Sequence, residues 1–246
     1  MDYSPSPQPC KYTAEALRLE AVTACVGFDD ILDYTLEANH PHLDTMIVVT
    51  SHRDTRTQLV AKKHGAICVQ TDLFTKNGRT TNIGAALNAG MARWQYNGWR
   101  MRLDADIALP DNFRRVLFNH THLDRSTIYG ADRVDVVGAE ALHALRRSPQ
   151  AGWSFFVKPG GVVSPRYVDT LRGYMPIGFF QLWHSSCEKP YPFSLGTAAT
   201  DDVMFAEQWP RENRRLLPTV VCAHLCSRPP TLKENWEGRT SPRFGS

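Results

Sequence analysis

The period of the hydrophobic positions changes along the chain, and each change marks an element. Glu20–Gly27 (EAVTACVG) is a short apolar run of strand length. Asp29–Asn39 then shows helical spacing at Ile31, Leu32, Tyr34, Thr35 and Leu36, with acidic residues in the first turn where the helix dipole favours them. Thr45–Thr50 (TMIVVT) is β-branched and predicts a strand, followed by a loop over Ser51–Asp54. Thr55–His64 predicts a helix stopped by Gly65, and Ala66–Gln70 a third strand. Asn82–Trp94 places Ile83, Leu87, Met91 and Trp94 on one helical face, and WRMRLDAD reads as a fourth strand. Such alternation predicts an α/β fold with a mostly parallel central sheet flanked by helices. Ligands of open α/β sheets bind at the carboxyl ends of the strands, where both the loop after TMIVVT and the Asp-Ala-Asp fall.

The pattern is less regular further on. Ser126–Gly138 predicts a strand and Glu140–Arg147 a helix, while Trp153–Trp183 mixes aromatics with glycine and proline, as a cleft wall would. Residues 1–19 are proline- and serine-rich and read as an irregular segment. Residues 227–246 read as a basic tail that wraps the surface or stays mobile, leaving a single domain over residues 20–226. There is no internal repeat.

Composition narrows the classes. The chain has 246 residues, 42% of them hydrophobic, which suits a globular domain with a sizeable core. No run approaches the ~18 apolar residues of a membrane span. The opening MDYSPSPQPCKYTAEA lacks a basic segment followed by an apolar one, so a secretory leader is not expected and a cytoplasmic location is. A net charge of +3 names no partner. The six cysteines are scattered without a Cys-x-x-Cys pair, which fits a reducing compartment. Cys222, His224 and Cys226 alternate in an apolar run, which reads more simply as a strand than as a zinc site.

The candidate chemistry centres on Asp104 and Asp106 in RLDADI. An Asp-x-Asp is common by chance, but on a strand both side chains would point to one face and repel unless a cation stood between them. Carboxylates there suit Mg²⁺ or Mn²⁺, which in turn would neutralise a diphosphate.

Several pieces together, EAVTACVGFDD, TMIVVTSHRD, TTNIGAALNAG and RLDADI, resemble the GT-A glycosyltransferases of the family-2-like type. The resemblance extends over about Glu20 to Cys226. It implies a GT-A fold, with residues 20–110 as the nucleotide-sugar half and 111–226 as the acceptor half. It implies that Asp104, Asp106 and His224 of VVCAHLC hold Mn²⁺ or Mg²⁺, with Asp104 also towards the ribose. Asn82, Gly84, Asn88 and Gly90 match an Asn/Gly-rich segment near the nucleotide sugar, and capping or close packing would explain them equally. Asp201 and Asp202 in PFSLGTAATDDVMFAEQW fall where the family carries an acidic pair whose second member is the general base, here Asp202; a helix N-terminus rich in acids is the simpler alternative. Lys76 and Arg79 are candidate phosphate partners. Ser51 and Asp54 are candidates near the nucleotide base, although Thr50-Ser51-His52-Arg53 precedes the acid where the family has it directly after the strand, so the nucleotide and sugar stay open.

The implied reaction moves a sugar from a nucleoside diphosphate sugar, expected to be a UDP-sugar, to an acceptor hydroxyl, with inversion if Asp202 is the base. Small GT-A enzymes of this kind resemble those that glycosylate hydroxymethylpyrimidines of phage DNA, which would place the protein in a host cytoplasm. Arg114, Arg115, Arg146, Arg147, Arg214 and Arg215 could then follow a phosphate backbone, and Phe179, Phe180 and Trp183 could stack on a flipped base. A glycan or protein acceptor is the alternative. A nucleotidyltransferase would want a basic glycine-rich loop where the acidic VGFDDILD stands, and an aspartyl phosphatase would carry its Asp-x-Asp on the first strand. A non-enzymatic nucleic-acid-binding module remains the reading from another class.

Overall fold

A computed structural model describes residues 18–78, 82–119, 123–147, 168–169, 171–192, 198–228 and 239–245. The predicted alternation is present. β1 (Leu19–Ala24), α1 (Asp29–Asn39), β2 (Thr45–Thr50), α2 (Thr55–Lys63), β3 (Ile67–Gln70), α3 (Ile83–Met91) and β4 (Trp99–Leu103) follow one another. After them come β5 (Ile107–Ala108), α4 (Phe113–Asn119), β6 (Ile128–Val137), α5 (Ala139–Arg147), β7 (Val168–Asp169), β8 (Gly173–Tyr174), β9 (Phe180–His184), α6 (Ala198–Ala206) and β10 (Arg214–Cys226). β7 and β8 form a separate two-stranded pair.

The main sheet has the order β3-β2-β1-β4-β9-β6-β10-β5. The strands from β3 to β4 run parallel, as crossover helices require. β9 then enters antiparallel between β4 and β6, β10 lies parallel to β6, and β5 is antiparallel to β10.

Helices cover both faces. α1 and α2 bury Leu32, Leu36 and Ala61 with Val48 and Cys25 on one side. On the other, α3 and α6 bury Leu87, Met91 and Phe205 with Val22, Ile47, Val49 and Trp183. A steric constraint sets how close α3 can come. Its interior carries Gly84 and Gly90, and a Cβ at Gly90 would lie 2.5 Å from Val49 Cγ2 and 2.6 Å from Val22 Cγ2. Gly90 is therefore used for close helix–sheet packing, one of the two readings its sequence allowed.

Of the basic tail, residues 239–245 are described, and they pack on the start of α1. Arg239 donates to both oxygens of Asp30 at 2.5 and 2.8 Å and to the Gly27 carbonyl at 2.9 Å. Arg243 pairs with Asp29 at 2.6 Å, and Phe244 is buried against Tyr34. The acids in the first turn of α1 thus serve as anchors for the chain end as well as dipole partners. Burial opposes the Asp30 charge, but Arg239 and the Phe244 N–H outweigh it and hold the carboxyl below its ordinary value.

Two outcomes follow from this packing. Gly90→Ala gains up to about 1 kcal/mol of helix propensity but overpacks two rigid valines, so chemical denaturation should show a net loss of about 1–2 kcal/mol. Because the Asp30 pKa is depressed on folding, its contribution is present above the unfolded value of about 3.9 and is lost as pH falls through the folded one. The unfolding midpoint of Asp30→Asn should accordingly fall less steeply than that of the wild type in acid below about pH 4.

Candidate active site

β4 ends at Leu103, one residue before the Asp-x-Asp. Asp104, Ala105 and Asp106 form a turn into β5 instead of continuing the strand, closed by the Ile107 N–H on the Asp104 carbonyl at 3.1 Å. The two aspartates therefore do not share a strand face, as a regular strand would require. The turn is tied on several sides. Asp104 N–H donates to the Phe179 carbonyl at 3.2 Å and Leu225 N–H to the Asp106 carbonyl at 2.8 Å. From α1, the Thr35 hydroxyl donates to the Ala105 carbonyl at 2.7 Å. Buried Asn39 donates to the Ile107 carbonyl at 2.9 Å and accepts from Leu109 N–H at 2.8 Å. The backbone polar groups of the turn are satisfied this way, which fixes where the carboxylates point.

Asp104 faces Arg102, two positions earlier on β4. Arg102 is only 3% exposed, donates to Asp104 Oδ1 at 3.0 Å and forms a close ion pair with Asp202. Its guanidinium also lies 5.6 Å from the ring centre of Tyr191. Burial alone would weaken its charge; Tyr191 and Asp104 outweigh that and hold the proton more firmly. Tyr191 is itself stacked on Phe205 at 4.0 Å and donates to Gln181 at 2.5 Å. Burial pushes its hydroxyl up to about 12, so it stays a donor.

Asp106 faces the other way, towards β10. His224 Nε2 lies 3.3 Å from Asp106 Oδ2, and its Nδ1 lies 2.9 Å from Asp135 Oδ1 on β6. The β6–β10 register places Asp135 directly opposite His224. Burial works against a charged imidazole here, but Asp106, with Asp135 and Cys226, raises its pKa well above the ordinary range. Burial would likewise push the Asp106 carboxyl up; the His224 charge outweighs it, Arg133 adds to that effect, and the carboxyl is held low.

These residues fit a hard divalent cation. A carboxylate oxygen and an imidazole nitrogen converge, Asp106 is 34% exposed, and the second histidine nitrogen is oriented by a carboxylate, as ligating histidines usually are. Asp104, 40% exposed, has one oxygen on Arg102, and its other oxygen has no partner among the described residues. Metal at Nε2 would displace the proton that His224 holds. Asp135, His224 and Cys226 also offer ligand atoms within 4.8 Å of one another, but that side of the ring already bonds Asp135. Cys222 is buried and its thiol is pushed up, which makes it a poor partner for zinc.

The acidic pair sits inside α6, not ahead of it, so neither residue is an N-cap. Adjacent positions on a helix point apart, and the two diverge. Asp201 is 1% exposed and accepts the Gly84 N–H at 3.3 Å, joining α6 to α3. Asp202 reaches Arg102 and accepts the Gly178 N–H at 3.1 Å.

The other sequence candidates are placed as follows. Asp54 caps α2 at Thr57 N–H and also accepts from Gly27 N–H at 2.7 Å, tying the β1–α1 loop to the end of β2. The Ser51 carbonyl accepts from Gln58 at 3.0 Å in the same loop. Asn82 is buried just ahead of α3, and Asn88 bonds the Tyr191 backbone on both sides, at 2.9 and 2.8 Å. Lys76 lies in a 3₁₀ turn over Leu73–Gly78 with its side chain outside the described residues, and Arg79 lies outside them altogether.

The expected base-stacking platform is corrected by burial. Phe180 and Trp183 are fully buried core residues and Phe179 is 6% exposed, so none presents a free ring face for a base. Arg114 is tied to Asp44 and the His42 carbonyl, and Arg214 to the Trp209 carbonyl, so neither is a loose backbone-tracking cation.

No protein-family model matches the sequence, and no curated protein matches it significantly. Solved structures do. Mannosyl-3-phosphoglycerate synthase from Rubrobacter xylanophilus aligns with a TM-score of 0.51 and 16% identity over 88% of this chain and 68% of that one. Glucosyl-3-phosphoglycerate synthase from Mycobacterium tuberculosis, solved with Mn²⁺, UDP and glucosyl-3-phosphoglycerate, aligns with a TM-score of 0.51 and 15% identity over 92% and 80%. A mycobacterial protein aligns with a TM-score of 0.54 and 15% identity over 92% and 74%. At these identities the likeness establishes the shared GT-A fold.

Arg102 and Asp135 were missed by sequence reasoning. Arg102 carried a signal, a charge in the middle of an apolar strand two residues ahead of the Asp-x-Asp. Asp135 alternates with apolar residues on β6, and only the register with β10 reveals its partner. Removing Arg102 leaves two carboxylates without their cation. Arg102→Ala should lower unfolding stability by about 3 kcal/mol, the low end for a broken buried pair because Asp104 reaches solvent. Arg102→Lys should recover only part of that, since it cannot fork between both acids; denaturant midpoints of the three proteins check both values.

Proposed function

We propose that the protein is a Mn²⁺- or Mg²⁺-dependent glycosyltransferase that moves a sugar from a UDP-sugar to an acceptor hydroxyl. The observation that carries this reading is the convergence of Asp106 and His224 at 3.3 Å, at the turn that follows the carboxyl end of β4 in a GT-A fold. Asp106 and His224 would hold the metal, while Asp104, turned to Arg102, would lie towards the ribose or reach the metal through water. A divalent cation there would offset the charge that builds on the leaving diphosphate. The similar M. tuberculosis synthase, solved with Mn²⁺ and UDP, supports the choice of metal and nucleotide.

Asp202 is the candidate base. Arg102 and the Gly178 N–H each engage one of its oxygens, yet a carboxylate has lone pairs to spare for an acceptor hydroxyl. A single base opposite the leaving group requires inversion at the anomeric carbon. Retention, read from the product by NMR, would leave Asp202 only as the anchor of Arg102. Asp201, bonded to Gly84, is better suited to holding α6 in place than to touching substrate.

For the acceptor, a small hydroxy acid is supported by the phosphoglycerate bound to a similar synthase. A hydroxymethylated base in DNA finds no such support, and the burial of Phe180 and Trp183 removes the aromatic platform invoked for it. A glycan or protein acceptor has no particular observation in its favour.

UDP with Mn²⁺ at about 100 times its dissociation constant should stabilise the wild type by about 2.7 kcal/mol, a rise of several degrees in apparent Tm. Asp106→Ala and His224→Ala should lose both that rise and metal-dependent UDP-sugar hydrolysis. Full turnover by Asp106→Ala in the presence of a chelator would rule the reading out.

A further inference from the structure

Arg133 stands out among the cations near the site because, among the described residues, no acceptor engages its guanidinium. It lies on β6 opposite Cys222, two residues before Asp135, which is opposite His224. Alternation on a strand puts Arg133 and Asp135 on one face, so Arg133 borders the Asp106–His224 pair. Its guanidinium carbon sits 4.8 Å from the ring centre of Phe179, whose own carbonyl accepts from Asp104 N–H at 3.2 Å. The side chain is half-buried.

Its neighbours are committed elsewhere. Arg102 is shared by Asp104 and Asp202, and Asp135 bonds His224. The Arg133 charge is felt at Asp106, but among the described residues its N–H groups make no hydrogen bond or salt bridge. One face of the guanidinium lies on the aromatic ring, while its edge donors have no partner among the described residues. That is a preorganised fork for an oxyanion, since arginine binds carboxylate and phosphate through two parallel N–H groups.

We propose that Arg133 binds an anionic group, phosphate or carboxylate, of the acceptor, beside the Asp106–His224 pair. The position on the sheet favours acceptor over donor. β6 lies beyond β9 from the parallel strands β3, β2, β1 and β4, whose carboxyl ends form the nucleotide half. The word acceptor rests on the glycosyl-transfer reading; the anion site itself does not.

The test titrates inorganic phosphate by calorimetry into wild type, Arg133→Gln and Arg133→Lys, each metal-free and again saturated with UDP and Mg²⁺. UDP affinity is measured in parallel. Loss of one charge-assisted contact should weaken phosphate binding about tenfold in Arg133→Gln, which keeps a polar stem over Phe179, and less in Arg133→Lys. UDP affinity should stay within about twofold, since no donor contact is removed. Phosphate bound equally by Arg133→Gln, or not bound by the wild type in either state, would overturn the site. Weakened UDP binding in Arg133→Gln would overturn the acceptor assignment and give the anion to the donor. Failure of UDP to bind the wild type, with phosphate still dependent on Arg133, would sink the transferase reading and leave the anion site standing.

Discussion

A buried guanidinium is the constraint around which the site is arranged. Placing Arg102 at 3% exposure near the end of β4 is costly unless acceptors surround it. They come from three separate parts of the chain. Asp104 arrives from the turn after β4, Asp202 from α6, and Tyr191 from the segment between β9 and α6. Each is held in turn: Asp202 by Gly178 N–H, Tyr191 by Asn88 and Gln181. The need to compensate one charge thus draws the first half of the chain and the second into a single site. It also explains why Gly178 stands where it does, since any side chain there would run into Arg102 and Asp202.

A second polar chain runs beside the first. Asp106 in the turn before β5, His224 on β10 and Asp135 on β6 line up, with the imidazole clasped at both nitrogens. The turn from Asp104 to Asp106 separates the two systems, because one carboxylate leaves it towards Arg102 and the other towards His224. Thr35 and Asn39, buried on α1, hold that turn by its backbone. The Asp-x-Asp therefore works as a junction, with the metal candidate on one side and the charge network of α6 on the other.

Much of the fold was legible because its strands and helices alternate with clear hydrophobic periods. TMIVVT, NIGAALNAGMARW and WRMRL each fold as their patterns predict, and β6 and α5 also fall where expected. What periodicity could not reveal was order in space. Nothing local says that β9 enters antiparallel between β4 and β6, or that β10 sets His224 against Asp135. Local rules also misjudged two features. Asp-Ala-Asp was read as strand, though a turn stabilised by α1 and β10 takes over after Leu103. Phe180 and Trp183 were read as candidate stacking rings, but aromatics in an apolar strand are more often core, as they are here. Among the site residues, the acids and His224 could be picked out by type and spacing. Asn39 and Asp135 could not be weighed from spacing alone, because their partners lie tens of residues away, and Arg102 signalled only its nearby partner Asp104, not Asp202.

Asp106 and His224 as the cation end of a nucleotide-sugar site are the central claim. The most direct measurement is a crystal structure of the protein with Mn²⁺ and UDP, with anomalous scattering recorded for the metal. The account predicts one strong anomalous peak in contact with Asp106 and His224 Nε2 and with the UDP phosphates, while Arg102 stays paired with Asp202. A peak at another site, or UDP bound with no metal between it and Asp106, would contradict it.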